Sequence, residues 1–444
     1  MKKLLLFTTA FLGANSITIY NNNLAYVSED KNISLQSGLQ TIKYTNLPKS
    51  IIINSIAPEI KGENVKIRSL QFNKSQSFAR AVLEQNLNKD ISFFAKDKKI
   101  ISGKLKKISP IIVESDGRFY TVNSIEALIF SSYPKKDSIN SYLELNIDSK
   151  ESQSSVVALN YLINGINWFS NYTITLKDST LNMKVWATIT NNSDKEFKNY
   201  KLNLIAGKLN RVRRDEILAR SPMVRKSLNY AEAVEPAVAQ VPSKSIEGYY
   251  LFKVPFSDTL AKNQTKQILL IDAKDIKYKI YAVATNRNFN RYGTQKLNFS
   301  QIIEFKNSSK NGLGLPLPSG LARVYKKGFY LGEDSISNTP KEQKIKLNTG
   351  EFFDIVGKKK IVEYINKKHY KKLKTEYSIK NRSNKKQSIK INEYIPRYGN
   401  NIEYKTSCQN NCTFTQKNAF TREYKIELDK NNTYTFYSEV EIFD

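Results

Sequence analysis

The stretch from Val156 to Gly207 constrains the fold most, because its apolar and polar residues alternate almost without interruption. Side chains of a β-strand point alternately to the two faces of a sheet, so the alternation predicts strands. The dipeptide Asn164-Gly165 predicts a two-residue hairpin between the first two of them. Four strands in series predict a meander with one apolar face, which a second layer must cover. The sequence therefore predicts a β-sandwich.

Shorter alternating runs fill most of the rest of the 444-residue chain and predict a mainly β protein. One segment breaks the pattern, because the helical spacing that follows Ser75 or Ser77 predicts a short helix near Ser77 to Asn86. Asp116-Gly117 predicts a further hairpin. The predicted organisation is a signal peptide at 1–16, an N-terminal β-meander at 17–72, a short helix plus a small β-barrel-like unit at 73–132, a central β-sandwich at 133–300 with an excursion at 210–247, and a C-terminal β-sandwich at 301–444.

A weak internal repeat refines this architecture. Three predicted strands end in Asn-x-Ser, at Asn191, Asn307 and Asn381. Asn tolerates the left-handed conformation and Ser bonds to nearby backbone, so we interpret the repeat as turn chemistry at equivalent positions. The uneven spacing favours tandem immunoglobulin-like β-sandwich modules over a solenoid.

The chain begins with the pattern of a secretory signal: Lys2 and Lys3, an apolar run from Leu4 to Leu12, and small residues at Ala14 and Ser16. We predict cleavage after Ser16; an uncleaved N-terminal anchor is the alternative. The mean hydropathy is −0.48, and no later stretch has the roughly 20 apolar residues of a transmembrane helix. The sequence therefore predicts export across the inner membrane to the periplasm, with no transmembrane segment after signal cleavage.

The chain is strongly basic, with 70 Lys and Arg against 41 Asp and Glu and a formal charge of +29. Such a balance favours anionic partners, here envelope glycans or lipid surfaces, because export argues against nucleic acid. The alternative is a codon bias spread over solvated strand faces. Another envelope protein is an alternative partner, and the sequence does not give the oligomeric state.

Lysine is densest between residues 358 and 374, where alternation would place many lysines on one face of a sheet. Exposed lysine on edge strands also prevents aggregation, which is the alternative. The predicted anion-binding residues are Lys358, Lys359, Lys360, Lys367, Lys368, Lys371 and Lys372.

Several segments carry a resemblance to a known family. They are Ile19-Tyr20-Asn-Asn-Asn-Leu-Ala-Tyr26, Leu159 to Tyr172, Leu204-Ile-Ala-Gly207, Gly312 to Tyr325, Leu331-Gly-Glu-Asp334, Thr339-Pro340 and Gly350-Glu-Phe-Phe-Asp354. Together they resemble the bacterial family titled domain of unknown function 4139, also called mucoidy-inhibitor-like. The resemblance implies an exported, largely β envelope protein and supplies no activity, substrate or catalytic residues. Longer members carry a fuller N-terminal domain and often coiled coils, which this chain lacks.

Catalytic patterns are weak. Pro316 and Pro318 remove backbone donors from the Gly312 to Gly320 run, so we interpret it as a structural loop rather than a phosphate cradle. The single histidine, His369, lies among lysines, which argues against a hydrolase relay. The alternative to a binding protein is a carboxylate-dependent envelope glycan hydrolase that uses Glu333, Asp334 and Asp354. No cofactor or metal is predicted.

Cys408 and Cys412 are the two cysteines of the chain. In an exported protein they predict a disulfide, with 404–408 and 412–416 as strands of one hairpin. A redox-active pair and half of a metal site are the alternatives. Asn32 and Asn431 fit the N-glycosylation pattern, which matters only if the source makes N-glycans.

Overall fold

The computed structural model describes residues 15–61, 63–94, 100–122, 127–135, 139–207, 209–210, 243–246, 248–287, 293–394 and 401–443. Strands account for 71% of the structure and helices for 4%. The prediction of a mainly β protein is confirmed. Among these residues, no helix has the length and apolar character needed to cross a membrane.

The first half of the chain contains β1 (Ser16–Tyr20), β2 (Leu24–Leu35), β3 (Gly38–Leu47), β4 (Ala57–Lys61), β5 (Val65–Asn73), α1 (Phe78–Gln85), β6 (Asp90–Phe94), β7 (Ile100–Ile108), β8 (Ile111–Ser115), β9 (Arg118–Val122), β10 (Ala127–Phe130), β11 (Ser141–Ser149), β12 (Gln153–Asn164), β13 (Ile166–Leu176), β14 (Thr180–Asn191) and β15 (Phe197–Ala206).

The second half contains β16 (Ser243–Ile246), β17 (Tyr249–Leu260), β18 (Gln264–Asn286), β19 (Thr294–Leu297), β20 (Ser300–Lys306), β21 (Gly320–Lys326), β22 (Phe329–Ile336), β23 (Lys344–Glu351), β24 (Ile355–Lys367), β25 (Tyr370–Asn381), β26 (Gln387–Tyr394), β27 (Asn401–Thr406), β28 (Cys412–Asn418), β29 (Thr421–Leu428) and β30 (Thr433–Phe443).

These elements form two compact units. The first comprises Met1–Trp168, Ile189–Ile205 and Leu251–Lys266, and the second comprises Phe169–Thr188, Ala206–Tyr250 and Gln267–Asp444. Both units are therefore assembled from segments that are distant in sequence. The predicted boundaries at 132 and 300 do not coincide with the edges of either unit.

The first unit contains three sheets. The largest runs in the order β17, β15, β1, β2, β12 and β4, and a smaller one in the order β3, β11 and β5. The predicted N-terminal meander is therefore not self-contained, because its strands pair with β11, β12 and β15. The third sheet has the order β10, β6, β7, β8 and β9.

The predicted helix is confirmed as α1, beside the third sheet. Ser77 is the N-cap, and its hydroxyl accepts a hydrogen bond from the Arg80 N–H at 3.3 Å. Leu83 packs into the apolar core of the third sheet. The predicted Asp116-Gly117 hairpin is also confirmed, because Ser115 pairs with Arg118 across it.

The second unit is a two-layer structure. One layer is a ten-stranded sheet with the order β22, β21, β13, β14, β18, β26, β29 and β28, in which β20 pairs with β18 and with β23. The other is a five-stranded sheet with the order β19, β24, β25, β30 and β27. An apolar core between the layers includes Ile389, Ile391, Ile426 and Phe436. The predicted four-strand meander at 156–207 is wrong, because β12 and β15 lie in the largest sheet of the first unit and β13 and β14 lie in this ten-stranded sheet.

The predicted hairpin at Asn164-Gly165 is wrong, because β12 and β13 belong to different sheets. A type I′ turn needs positive φ at both central residues, and only Gly165 has it, at 92°. The Gly165 carbonyl accepts from the Asn192 N–H at 2.7 Å. This glycine therefore turns the chain out of one sheet and into another.

The Asn-x-Ser repeat marks buried hydrogen-bonded clamps. Asn191 is almost fully buried, and its side-chain amide donates to the carbonyls of Lys195, Leu260 and Ala261 at 3.0 to 3.2 Å. Its Oδ1 accepts from the backbone N–H and the hydroxyl of Ser193. One side chain thus joins the end of β14 to the end of β17.

Asn381 makes the same contacts in the second unit. Its amide donates to the carbonyls of Lys385, Leu428 and Asp429 at 2.8 to 3.1 Å, and its Oδ1 accepts twice from Ser383. None of the three repeat asparagines has a positive φ. The repeated feature is therefore the set of side-chain hydrogen bonds, not the left-handed backbone that we predicted.

Asn307 supports a longer version of this turn. Its amide donates to the carbonyls of Leu315 and Pro340, and its Oδ1 accepts from the Gly314 N–H at 3.1 Å. The Gly312 to Gly320 run is thus held by internal bonds, as expected for a structural loop. After each clamp the next strand pairs in parallel with an earlier one: β15 with β1, β21 with β13, and β26 with β18.

Residues 1–14 of the predicted signal and 211–242 of the predicted excursion lie outside the described residues. Asn15 and Ser16 are described and belong to the fold. The Asn15 side chain accepts from the Asp30 N–H, and its carbonyl accepts from the Lys201 N–H. Ser16 is the first residue of β1, so cleavage after Ser16 would remove both sets of contacts.

Candidate anion-binding face

The outer face of the five-stranded sheet carries a group of exposed lysines. On β24, Lys358 and Lys360 point outward because strand side chains alternate. The pairing register places Lys296 of β19 directly opposite Lys358, and Lys380 of β25 opposite Val356. Directly opposed residues share one face. We call Lys296, Lys358, Lys360 and Lys380 the four-lysine patch.

The lysines of this patch are not ion-paired with any described residue. Within the described part of the chain, none of the four forms a salt bridge, although one carboxylate, that of Glu376, lies in register with Lys360. The residues in register beside it are largely hydroxylic, for instance Ser378 opposite Lys358 and Thr294 opposite Lys360. The carboxylate of Glu376, opposite Lys360, accepts from the Tyr437 hydroxyl at 2.8 Å. Like charges directly opposite each other destabilise a sheet, so this arrangement favours binding of anions.

The other end of the same face is electrostatically balanced. Lys372 lies 3.1 Å from a Glu363 oxygen and 3.6 Å from a Glu439 oxygen, and Lys405 lies 3.1 Å from Glu441. The hydrogen bond that Lys372 donates to Glu363 is the main cause that raises the pKa of Lys372. Lys372 is therefore ion-paired with glutamates of neighbouring strands, so we do not assign it to the anion-binding surface.

The remaining predicted lysines lie at the far end of β24 and β25. Lys367 pairs opposite Tyr370, Lys368 is exposed in the turn, and Lys371 is partly buried. Seven residues separate Lys360 from Lys367, or about 23 Å along an extended strand. The structure therefore does not bring Lys367, Lys368 or Lys371 together with the four-lysine patch.

Lys359 corrects the prediction most clearly. It points inward, is 5% exposed, and its Nζ donates to Asn286 Oδ1. Burial lowers its pKa, and the charge of Glu393 opposes that shift. The run Lys358-Lys-Lys360 suggested one cationic surface, but the two-residue period of a strand sends its middle member into the core.

Lys359 belongs to a buried ionic cluster that the sequence analysis missed. Glu393 of β26 and Arg422 of β29 lie opposite each other, and both are fully buried. The Glu393 carboxylate accepts from the hydroxyls of Tyr377 at 2.6 Å, Ser438 at 2.7 Å and Tyr424 at 3.2 Å. The carboxylate is therefore well satisfied inside the sandwich.

The guanidinium of Arg422 has fewer hydrogen-bond partners than the Glu393 carboxylate. Its Nε is 3.5 Å from Glu393 Oε2, and its guanidinium lies 4.0 Å from the ring centre of Tyr404. None of its three nitrogens has a hydrogen-bond partner among the described residues. A sequence signal existed, because Ile389 and Ile391 precede Glu393 in the inward phase of β26. Following that phase to the end of the strand would have placed the acid in the core.

The predicted acidic site is not assembled on one face. Glu333 and Asp334 are consecutive in β22, so they point to opposite sides of the sheet. Glu333 pairs with Arg323 at 3.2 Å, and Asp334 accepts from the Asn348 N–H at 2.8 Å. Asp354 is exposed in the turn between β23 and β24. Glu333 and Asp334 thus each hold a neighbouring strand.

Cys408 and Cys412 lie at disulfide distance, with their sulfurs 2.05 Å and their Cα atoms 5.2 Å apart. The predicted hairpin around them is wrong, because β27 pairs with β30 and β28 pairs with β29. These pairs belong to different layers of the second unit. The disulfide therefore closes the turn by which the chain passes from one layer to the other.

The described residues contain no cluster of three or more His, Cys, Asp or Glu side chains placed to hold a metal ion. His369 is exposed in the turn between β24 and β25. Of the predicted glycosylation sites, Asn32 is exposed on β2, and Asn431 lies in the β29–β30 turn with a φ of 55°. The outward lysines of the five-stranded sheet are therefore the best candidate for a binding function.

Comparison with known proteins assigns no family to the chain. No protein-family model matches the chain, and no curated protein shows significant similarity to it.

Proposed function

We propose that this chain is an exported, non-catalytic protein of the cell envelope that binds anionic glycan through the four-lysine patch. The observation that carries the proposal is the direct opposition of Lys296 and Lys358 without a compensating carboxylate among the described residues. The same sheet compensates Lys372 and Lys405 with glutamates at its other end. The contrast favours a binding role for the uncompensated end.

The spacing of the patch suits a polymer with repeated charges. Lysines two apart on a strand are about 7 Å apart, and neighbouring strands are about 5 Å apart. Phosphate or carboxylate groups along a glycan can meet several such lysines at once. The hydroxyls of Ser378 and Thr294 beside the patch supply donors for sugar oxygens.

Two further observations support the cellular setting. A cysteine pair at disulfide distance suits an oxidising compartment such as the periplasm. The resemblance to the mucoidy-inhibitor-like family also points to the envelope, and membership in that family is part of the proposal. The opposite orientation of Glu333 and Asp334 favours binding over the carboxylate-dependent hydrolase.

The test is a charge-reversal comparison with dextran sulfate as the probe. The patch variant is K358E/K360E/K380E, and the matched control is K198E/K201E/K253E, which changes the net charge equally at exposed lysines of the first unit. A lysine near an anionic surface contributes about 1 kcal/mol. The patch variant should therefore bind on the order of 100-fold more weakly at low salt.

The control variant should keep its affinity within about 3-fold, because its lysines do not belong to the four-lysine patch. Binding by the wild type should weaken steeply as salt rises. An equal loss in both triple variants would show that only net charge matters and would contradict the patch. Salt-independent binding would contradict it as well.

A further inference from the structure

The hairpin between β21 and β22 ends in an unusual tip. Lys327 and Gly328 both have positive φ, at 49° and 83°, which defines a two-residue turn between Lys326 and Phe329. A Cβ placed on Gly328 would have no atom within 4 Å. The tip therefore projects into open solvent.

Large aromatic side chains are exposed at this tip. Phe329 is 72% exposed and Tyr330 is 53% exposed. The Tyr330 ring packs at 5.6 Å on Tyr325 of the opposite strand. Single exposed aromatic residues are common on protein surfaces, but here two consecutive residues beside one turn expose their rings, one on each side of the β21–β22 hairpin.

The strand beside β22 leads to a third exposed ring. Strand β23 runs beside β22 in the opposite direction, because the Asn348 N–H bonds Asp334 and the Gly332 Cβ position lies 2.7 Å from the Thr349 carbonyl oxygen. Continuing β23 past Thr349 leads toward the end of β22 that holds Phe329. Phe353, which is 82% exposed, lies two residues after the end of that strand.

Cations surround these rings. Lys326 and Lys327 occupy the turn itself, and Lys327 is exposed. The Arg382 N–H donates to the Asp354 carbonyl at 2.8 Å, which places an exposed arginine beside the Phe353 loop. Lys326 has one distant partner, Asp178, at 4.0 Å. We call residues 326–330 together with Phe353 the aromatic tip.

We propose that the aromatic tip inserts into the interfacial layer of an anionic lipid bilayer. Aromatic rings favour the headgroup boundary, and lysines beside them attract anionic headgroups. A bilayer accepts a projecting tip without a preformed pocket, whereas a protein partner would need a matching cavity. The inference extends the proposed function and rests on the four-lysine patch only for long-range attraction.

The first test measures binding to vesicles of phosphatidylglycerol and phosphatidylcholine. F329S/Y330S should bind at least about 10-fold more weakly than the wild type, because the variant no longer has large apolar side chains to bury in the bilayer. The matched control is F119S/Y120S, which removes two consecutive exposed aromatic residues from β9 of the first unit. That control should bind vesicles like the wild type.

The second test reports on insertion without removing the ring. The emission of F329W, after subtraction of the wild-type signal, should shift to the blue with anionic vesicles and not with dextran sulfate. Unshifted emission with vesicles that are nevertheless bound would overturn the inference, as would equal losses in the two serine variants. Tight capture of a protein by the tip, with no vesicle binding, would overturn it too.

These outcomes separate the two proposals. Dextran sulfate binding that depends on the lysine patch, with no vesicle insertion, overturns only the aromatic tip. Vesicle insertion of F329W without any dextran sulfate binding overturns only the glycan-binding patch.

Discussion

At the residue scale, Asn191 and Asn381 show how one side chain can organise a turn. Each amide donates to three carbonyls, one of which also accepts from the neighbouring serine hydroxyl, and each Oδ1 accepts twice from that serine. Unsatisfied buried polar groups cost about 1 to 3 kcal/mol each. The clamps therefore stabilise the junctions at which strands end.

We predict that N191A lowers the free energy of unfolding of the first unit by about 3 kcal/mol. The carbonyls of Lys195, Leu260 and Ala261 would lose their hydrogen bonds from the Asn191 amide. The neighbouring Asn192 is exposed, so N192A should change it by less than about 0.5 kcal/mol. Chemical denaturation followed by tryptophan fluorescence measures both. Equal shifts for the two variants would contradict the clamp.

The buried pair of Glu393 and Arg422 gives a second prediction. Removing one partner of a buried ion pair costs about 3 to 5 kcal/mol, whereas replacing both by neutral groups is often neutral or stabilising. E393Q alone leaves the Arg422 charge buried without its counterion, so it should destabilise strongly. The double variant E393Q/R422M should recover most of that loss.

A double-mutant cycle of unfolding free energies checks this prediction. R422M alone should cost less than E393Q alone, because the carboxylate keeps its bonds to Tyr377, Ser438 and Tyr424. Additive effects of the two substitutions would show that the charges do not interact across their 3.5 Å separation.

At the element scale, alternation predicted where strands lie but not which strands pair. The α1 cap and the Asp116-Gly117 hairpin are local features, so the sequence sufficed for them. Gly165 and the cysteine turn looked equally local, but both carry the chain into another sheet. A turn motif specifies a change of direction, and the pairing partner is decided by distant strands.

The same distinction applies to the candidate site. Lys358 and Lys360 could be predicted, because they lie in a dense charge run. Lys359 was misplaced because the run was considered without its strand phase. Lys296 and Lys380 could not be found, since only the register of β19 and β25 on β24 brings them to the patch.

The disulfide prediction belongs at this scale. C408S/C412S should lower the free energy of unfolding by about 2 kcal/mol, because so short a loop gains little chain entropy from closure. Hydrogen exchange should quicken mainly in β27 and β28, which the bridge joins. Free-thiol titration of the denatured, unreduced wild type supplies the control, and two free thiols would contradict the bridge.

At the scale of the whole molecule, both units bury tyrosine hydroxyls. Burial is the main cause that raises the pKa values of Tyr161, Tyr172, Tyr200, Tyr377 and Tyr424 above the ordinary 10.0. The unfolded chain therefore loses these protons first as the pH rises. Their stabilising contribution is complete below pH 10 and decreases above it.

Two buried lysines have the opposite effect on stability, over a limited pH range. Burial lowers the pKa values of Lys359 and Lys390 below the ordinary 10.5. Their effect raises stability as the pH approaches 10.5 and adds nothing above that value, because both states are then deprotonated. Above pH 10.5 the buried tyrosines lower stability, and Lys372 and Lys405, whose pKa values are raised by their hydrogen bonds to Glu363 and Glu441, act in the same direction.

We therefore predict that both units lose stability steeply above pH 10.5, by about 1.4 kcal/mol per pH unit for each buried tyrosine. Denaturant unfolding at a series of alkaline pH values measures the slope. Y172F removes one linked proton, so the slope for the second unit should become shallower by about that amount, whatever the variant does to stability at neutral pH. Tyrosinate absorbance should rise together with unfolding. Ionisation of these tyrosines in a chain that is still folded, or a Y172F slope equal to that of the wild type, would show that burial does not hold the protons.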